Sequence, residues 1–569
     1  MRDRIIDRWR GRSLELVGKL VNAACIVIAV GWFVGLLLMH IKVITQPGPQ
    51  EYNEPAIWHT TWLLGHGRNP YTANELPGAA YCFDPLYNYV MLALNPLLGI
   101  DYPAHRMVNL FFLLASLGVL VRLMAKAGAG LGIALLSAVF YYWMCLGNIM
   151  ITARPDLMGL FFFLLGILVP WERNYTLGST IVGLGCALVA FHCKFYFALA
   201  GCATLLGFLM EHYRRERAWR IAGFGALVAG YLFIVRFFPT LYIIFGLAAV
   251  AVIAGHFIVR QNRRAYWLGV GYFGAVGVTF ALCCHFFPYY YIETIIVQRG
   301  GTELNSRDDV ALMHTLMLAE RGWPFFLLML YGLGAWLWRR SVARRGGRPP
   351  QRPDDLKFYA LGTVFLIFLV IVYYYMGRNA GAFFTYHLHL LFPLMFVLAA
   401  HAITGPRVRI GFGVLLAIFV STLMAIRQVP DSSAAYRQME QLIFNCRGEV
   451  LGIASTTDIF ERQGRRVLHN GNTMFIGFAF ANNGIGRNPM IAVLGRNSDT
   501  TIADVKRKVA ARAYAMVLTE FDEPYFCTAE SLKQNYDKVE QIDYFTYFGH
   551  SPVRVWRPKH REGDPVNPP

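Results

Sequence analysis

Apolar runs of about 20 residues, long enough to cross a bilayer as one helix, recur along the chain as far as residue 428. The first runs from Leu20 to Ile41, behind Arg2, Arg4, Arg8, Arg10, Arg12 and Lys19. No small-residue cleavage site follows it and it is long for a signal peptide, so an uncleaved first span is expected. Later basic clusters fall at Arg122/Lys126, Arg173, Arg214–Arg220, Arg260–Arg264, Arg339–Lys357 and Arg407/Arg409. Two apolar runs fit between almost every consecutive pair. Placing all these clusters in the cytoplasm predicts about thirteen spans, N-terminus inside and C-terminus outside. Breaks are expected near His192-Cys193-Lys194 and Phe238-Pro239.

Two polar regions are too long to be turns. Residues 43–103 follow the first span and are rich in Pro, Gly, Tyr and His, with short amphipathic pieces at Ala56–Leu64 and Leu86–Leu98. Residues 429–569 alternate short apolar runs with helical stretches. Val450–Ala454, Met490–Leu494, Tyr514–Leu518 and Val553–Trp556 read as strands; Ala434–Phe444, Ile502–Ala511 and Ala529–Tyr536 read as helices. The expected fold is therefore a mostly α, polytopic membrane domain over 1–428, with a small outer α/β domain over 429–569. A third polar stretch, Pro288–Trp323, reads as a mobile lid.

Composition sharpens this picture. Hydrophobic residues make up 56% and charged residues 15%, against roughly 25% charged in soluble proteins. With a mean hydropathy of +0.40, this excludes a soluble enzyme, a disordered scaffold and a fibrous protein. The net charge of +18 suggests nucleic acid at first sight, but from Val429 onward 17 Lys/Arg face 16 Asp/Glu. The excess lies in short loops between apolar runs, where topology explains it, so no nucleic-acid partner is expected.

Four sets of ionisable residues fall on the outer side of that topology. Glu51 and Glu54 lie in Gln50-Glu51-Tyr52-Asn53-Glu54-Pro55, and Asp84 lies in Tyr81-Cys82-Phe83-Asp84-Pro85-Leu86-Tyr87. Carboxylates among aromatics and prolines at a membrane surface are poorly solvated, which suits a general base. Arg154 and Asp156, in Ala153-Arg154-Pro155-Asp156-Leu157 at a hairpin tip, can pair and cap the turn. Lys194 sits in His192-Cys193-Lys194-Phe195-Tyr196 without polar neighbours, so it needs an anionic partner. Arg378, His387 and His389 enter a late span. Clustered cations bind a phosphate headgroup. A lipid-linked phosphate fits better than a nucleotide, because no Gly-rich phosphate loop is evident.

The order of these motifs resembles the GT-C glycosyltransferases. A first span is followed by an acidic motif, Gly67-Arg68-Asn69-Pro70-Tyr71 (G-x-N-P-Y) and Asp84-Pro85-Leu86-Tyr87-Asn88-Tyr89 (D-P-L-Y-x-Y). The hairpin-tip A-R-P-D-L, Lys194, and the H-L-H-L-L-F-P segment from His387 complete the layout. The chain is most similar to the branch that uses polyprenyl-phosphate sugars: the aminoarabinose transferases of lipid A, the protein O-mannosyltransferases and bacterial mannosyl- and arabinosyltransferases. The resemblance covers about residues 20–425. It implies inverting transfer of a monosaccharide from a polyprenyl-phosphate donor to a lipid, glycan or protein acceptor outside the cytoplasm. The family's adjacent acidic pair is here Asn53-Glu54, with Glu51 three residues earlier, so Glu54 is the implied base and Glu51 the substitute. Asp84 and Asp156 would orient acceptor or cations; Lys194, Arg378, Arg154, His387 and His389 would bind the donor phosphate. Some members use a divalent metal, which this sequence leaves open.

Two other classes compete. A flippase or transporter of a lipid-linked sugar explains the spans but not an acidic loop of about 60 residues, and transporters tend to place ionisable groups at mid-membrane. A ligase-like transferase using a diphosphate-linked glycan would draw on Glu293, Arg299, Arg307, His314 and Arg321 in the late loop. The ten cysteines show no CxxC pair and no Cys/His ligand spacing, so a structural zinc site is not expected. Cys446 and Cys527 could pair in an oxidising compartment.

Overall fold

The computed structural model describes residues 2–76, 78–147, 149–212, 263–297, 323–345, 392–403, 405–470, 489–520, 528–546 and 549–560. Among the described residues of the first 428, helices dominate: α1 (Arg2–Ile44), α2 (Glu54–Gly65), α3 (Leu86–Leu98), α4 (Tyr102–Ala127), α5 (Leu131–Leu146), α6 (Asp156–Glu172), α7 (Leu177–Phe191) and α8 (Leu199–His212). They continue as α9 (Arg263–Phe286), α10 (Trp323–Arg345), α11 (Phe392–Ala402) and α12 (Pro406–Leu423). Among the described residues four helices are long and apolar enough to cross a membrane: Ser13–Ile44, Tyr102–Ala127, Arg264–Phe286 and Pro406–Leu423. Their windows are 17–56% buried, and α1 leaves Leu20, Val27, Val30 and Val34 exposed. Such a surface needs lipid, so the chain is an integral membrane protein. Several other expected spans are shorter apolar helices, and Phe238-Pro239 lies outside the described residues.

Local signals set the helix ends. Asp101 caps α4 by accepting the Ala104 N–H at 2.8 Å, Pro103 starts its first turn, and Gly128 ends it at φ +105°. The His192–Lys194 break is present: α7 stops at Phe191, and a 3₁₀ turn (Phe195–Ala198) leads into α8.

The amphipathic piece expected at Ala56–Leu64 is α2, but its burial is not one-sided. Nine of its twelve residues are buried, from Glu54 to Leu63. The cover comes from the C-terminal part of the chain, whose α14 (Thr457–Arg462) packs on α2.

That C-terminal part holds α13 (Ser433–Asn445), β1 (Val450–Leu451), α14, α15 (Pro489–Ala510), β2 (Met516–Thr519), α16 (Ala529–Asn535), β3 (Tyr536–Thr546) and β4 (Gly549–Pro558). The sheet order is β1-β2-β4-β3, with β1 and β2 parallel and the other pairs antiparallel. Alternation along the strands serves two cores. Met516, Leu518, Val553 and Val555 pack with Tyr436, Met439 and Ile443 of α13. Val517 and Trp556 pack with Val505 and Val509 of α15 and Leu532 of α16.

Two assignments in this part are corrected. Met490–Leu494 is helical, the first turns of α15, because a five-residue apolar run has no period of its own and Pro489 opens a helix there. The chain after Asn535 is a strand of 11 residues; it escaped notice because most of its side chains are exposed, and Tyr536, Ile542 and Tyr544 supply the buried face. Cys527 lies outside the described residues, so the pairing with Cys446 has no structural counterpart here.

Candidate active site

The segment between α1 and α2 is anchored by Arg106, which sequence reading missed. Arg106 lies in the first turns of α4 and is fully buried. A guanidinium has five N–H donors. Nε donates to Glu54 Oε1 at 2.8 Å; Nη1 to the carbonyls of Val43 (3.3 Å) and Gln46 (2.6 Å); Nη2 to Gly48 O (2.7 Å) and Glu54 Oε2 (2.6 Å). Glu54 is equally saturated: Oε1 also accepts from Ala153 N at 2.8 Å and Oε2 from Gln50 N at 2.5 Å. One ion pair thus ties the end of α1, the start of α2 and the hairpin tip before α6. The available signal was an Arg in the first turns of an apolar helix, at the opposite end from the Arg122/Lys126 cluster.

Three residues away, Glu51 has different surroundings. Its Oε1 accepts from Asn53 Nδ2 at 2.8 Å and from Arg154 Nη1 at 3.1 Å. Its Oε2 is buried and has no hydrogen-bond partner among the described residues. Burial pushes its carboxyl up to about 7; Arg154 opposes the rise and Glu54 adds to it. Arg154 also donates from Nε to Asp156 Oδ2 at 3.1 Å, and Lys194 Nζ pairs with Asp156 Oδ1 at 2.6 Å. Both cations lie over the Phe83 ring, Arg154 at 5.4 Å and Lys194 at 5.3 Å from its centroid. Glu51, Arg154, Asp156 and Lys194 therefore form one buried, alternating network. It joins the segment before α2, the hairpin tip and the break after α7.

Asp84 stands beside Phe83. Its Oδ1 accepts from Leu86 N at 3.0 Å, and its Oδ2 meets His192 Nδ1 at 2.8 Å and Tyr290 Oη at 2.6 Å. Asp84, His192 and Cys283 place their ligand atoms within 4.8 Å of one another, the set best suited to a metal among the described residues. No sequence spacing foretold it, since the three lie on separate elements.

Arg378, His387 and His389 lie outside the described residues, as do Arg299, Arg307, His314 and Arg321. Glu293 is described and buried against the segment 43–103: its Oε2 accepts the Tyr81 N–H at 2.8 Å, and burial raises its carboxyl well above the usual range.

The C-terminal part closes over the same segment. Ser432 N and Oγ both donate to Gln46 Oε1 at 2.9 Å, and Tyr544 Oη donates to Pro49 O at 2.7 Å. Gly48 passes so close to Tyr436 and Tyr544 that a Cβ there would collide with both rings' side chains. Further along, His59 Nε2 meets Glu461 Oε1 at 2.7 Å, and Asn470 Nδ2 donates to Ala80 O at 2.9 Å. The C-terminal part and residues 43–103 therefore share one side of the helical bundle.

No family model and no curated protein matches this chain. Among solved structures, it aligns with an oligosaccharyltransferase of Archaeoglobus fulgidus tethered to an acceptor peptide, at 10% identity and TM-score 0.41, over 94% of this chain and 74% of that one. It also aligns with ArnT of Cupriavidus metallidurans in the apo state, at 14% identity and TM-score 0.41, over 86% and 81%. The same ArnT bound to undecaprenyl phosphate aligns at 16% identity and TM-score 0.36, over 87% and 80%.

Proposed function

We propose that this protein is an inverting glycosyltransferase that moves a monosaccharide from a polyprenyl-phosphate donor to a hydroxyl of a lipid, glycan or protein. In this reading residues 1–428, with about thirteen spans, form the catalytic domain. Residues 429–569 form an outer domain, and transfer occurs on that extracytoplasmic side. The observation that carries the reading is Glu51: a buried carboxylate with one oxygen unengaged, tied to a cation network next to the helix break at Lys194.

Glu51 takes the proton of the acceptor hydroxyl, and the resulting oxygen attacks the anomeric carbon from the face opposite the phosphate. The bond from that carbon to the phosphate oxygen breaks, and polyprenyl phosphate leaves with the electron pair. Lys194 and Arg154, with Arg378 and the His387/His389 pair as further cations, stabilise that charge. Asp156 holds Arg154 and Lys194 in place, and Glu54 is assigned to structure rather than to proton transfer, since each of its oxygens already accepts two hydrogen bonds.

The test is transfer of labelled sugar from a polyprenyl-phosphate donor by the full-length protein in nanodiscs. Lys194→Ala removes a charge-assisted contact worth about 1.5–3 kcal/mol, so transfer should fall by roughly tenfold or more. Normal transfer by a well-folded Lys194→Ala would remove the lysine from the donor site. A wild-type protein that moves the intact lipid between leaflets without transferring sugar would replace the enzyme with a flippase.

A further inference from the structure

Asp84, His192 and Cys283 come from three elements: the segment before α3, the break after α7 and the last turn of α9. We propose that these three side chains form a divalent metal site of zinc type, which stands whether or not the transfer reading does. A carboxylate, an imidazole and a thiol together suit zinc, whereas magnesium and calcium are held by oxygen alone. Donors bound at about 2.0–2.3 Å in a tetrahedron lie about 3.3–3.8 Å apart. The three ligand atoms here already lie within 4.8 Å of one another, and the 2.8 Å Asp84–His192 contact needs to open by less than about 1 Å to admit an ion.

The surroundings orient the donors as metal sites require. Asp84 Oδ1 is held by the Leu86 N–H, which turns Oδ2 toward His192. The Tyr290 hydroxyl bonds the same Oδ2 at 2.6 Å, a supporting hydrogen bond to a ligating carboxylate. His192 and Cys283 are partly exposed and Asp84 is buried, so an ion has a way in. Three protein ligands leave a fourth position for an oxygen, from water, Tyr290 or a phosphate. An ion here would pin the segment before α3 to the end of α9. It would also add positive charge two residues from Lys194. Cys283 is then a ligand, and ligands so far apart in sequence explain why the cysteine spacing gave no sign of zinc.

Purified full-length protein, stripped with chelator, reloaded with zinc chloride and washed, should carry about one zinc per chain by elemental mass spectrometry. Cys283→Ser and His192→Gln should lose it, while Cys284→Ser, changed at the neighbouring position, should keep it. Cobalt in place of zinc should show a thiolate-to-metal charge-transfer band that Cys283→Ser abolishes. Tyr290→Phe should keep the stoichiometry but weaken affinity by about 10- to 100-fold. Each variant must elute as the wild type does; the serine is close to isosteric, so folding and ligation can be separated. A wild type that retains no zinc, or zinc unaffected by both Cys283→Ser and His192→Gln, overturns the site.

Discussion

Two glutamates three residues apart occupy opposite kinds of environment: one carboxylate is fully engaged and the other is not. Glu54 faces Arg106 with each oxygen accepting twice, and every guanidinium donor is used in return. A carboxylate so enclosed has no lone pair left for an acceptor hydroxyl without breaking a bond first. Glu51 faces Arg154 and Asn53 through one oxygen and leaves the other without a hydrogen-bond partner among the described residues, in surroundings that raise its carboxyl to about 7. Incomplete satisfaction costs stability, and in a native protein such a cost concentrates at functional sites.

The largest expected effect follows from that contrast. Glu51→Gln should lower transfer by about 10²- to 10⁴-fold, the usual share of a general base, while donor binding stays near wild type and the fold is no less stable than wild type at neutral pH. Near-normal turnover in this variant, with transfer abolished in Glu54→Gln at full stability, would reverse the two roles.

Arg106→Ala addresses the other half. Removing one partner of a buried ion pair costs about 3–5 kcal/mol, and here five hydrogen bonds go with it. The expected result is loss of folded protein in detergent extracts before any kinetic change can be read. A stable Arg106→Ala with a lower transfer rate would move the pair from structure into the site.

The parts legible in the sequence were those written in short stretches. Apolar runs and basic clusters marked the membrane character, and Glu51, Arg154, Asp156 and Lys194 were all singled out before any contact was known. The resemblance implied Glu54 as the base with Glu51 as its substitute, and the proposal reverses the two; locally, Pro55 opens α2 with Asn53 as its cap residue. What decides between the glutamates is Arg106, more than fifty residues away, and no local pattern encodes that contact. The Asp84–His192–Cys283 cluster was invisible for the same reason. The long strand β3 was hidden by its exposed, charged face, which reads as loop unless its partner β4 is known.

The pH profile should give a smaller effect with a defined sign. A base must be ionised, so transfer should fall about tenfold per pH unit below about 7 and level off above it. Stability runs the other way. Glu51 has a folded value raised above its ordinary 4.5, so the protonated form stabilises fully below 4.5 and that contribution is lost as pH rises through about 7. Thermal melts of wild type against Glu51→Gln should therefore diverge between those values, with the wild type relatively weaker at the upper end. A transfer profile flat from pH 5 to pH 8 would take Glu51 out of proton transfer.

The smallest effect tests whether the C-terminal part tunes the Glu51 segment or merely covers it. Tyr544 Oη bonds the carbonyl of Pro49, two residues before Glu51, and the ring lies against Gly48. Tyr544→Phe keeps the ring and deletes that bond, worth about 0.5–1.5 kcal/mol. Transfer should fall by about tenfold or less, and the pH midpoint should shift because Glu51 is held less firmly. Thr519→Ala is the matched control: it deletes the 3.1 Å bond from Trp556 Nε1 inside the sheet, remote from residues 46–54. It should cost similar stability and leave both transfer and midpoint unchanged. If the two variants lower transfer equally, the C-terminal part acts through overall stability alone. If Tyr544→Phe alone moves the midpoint, the contact at Pro49 reaches the carboxylate, and the C-terminal part of the chain belongs to the machinery of the site.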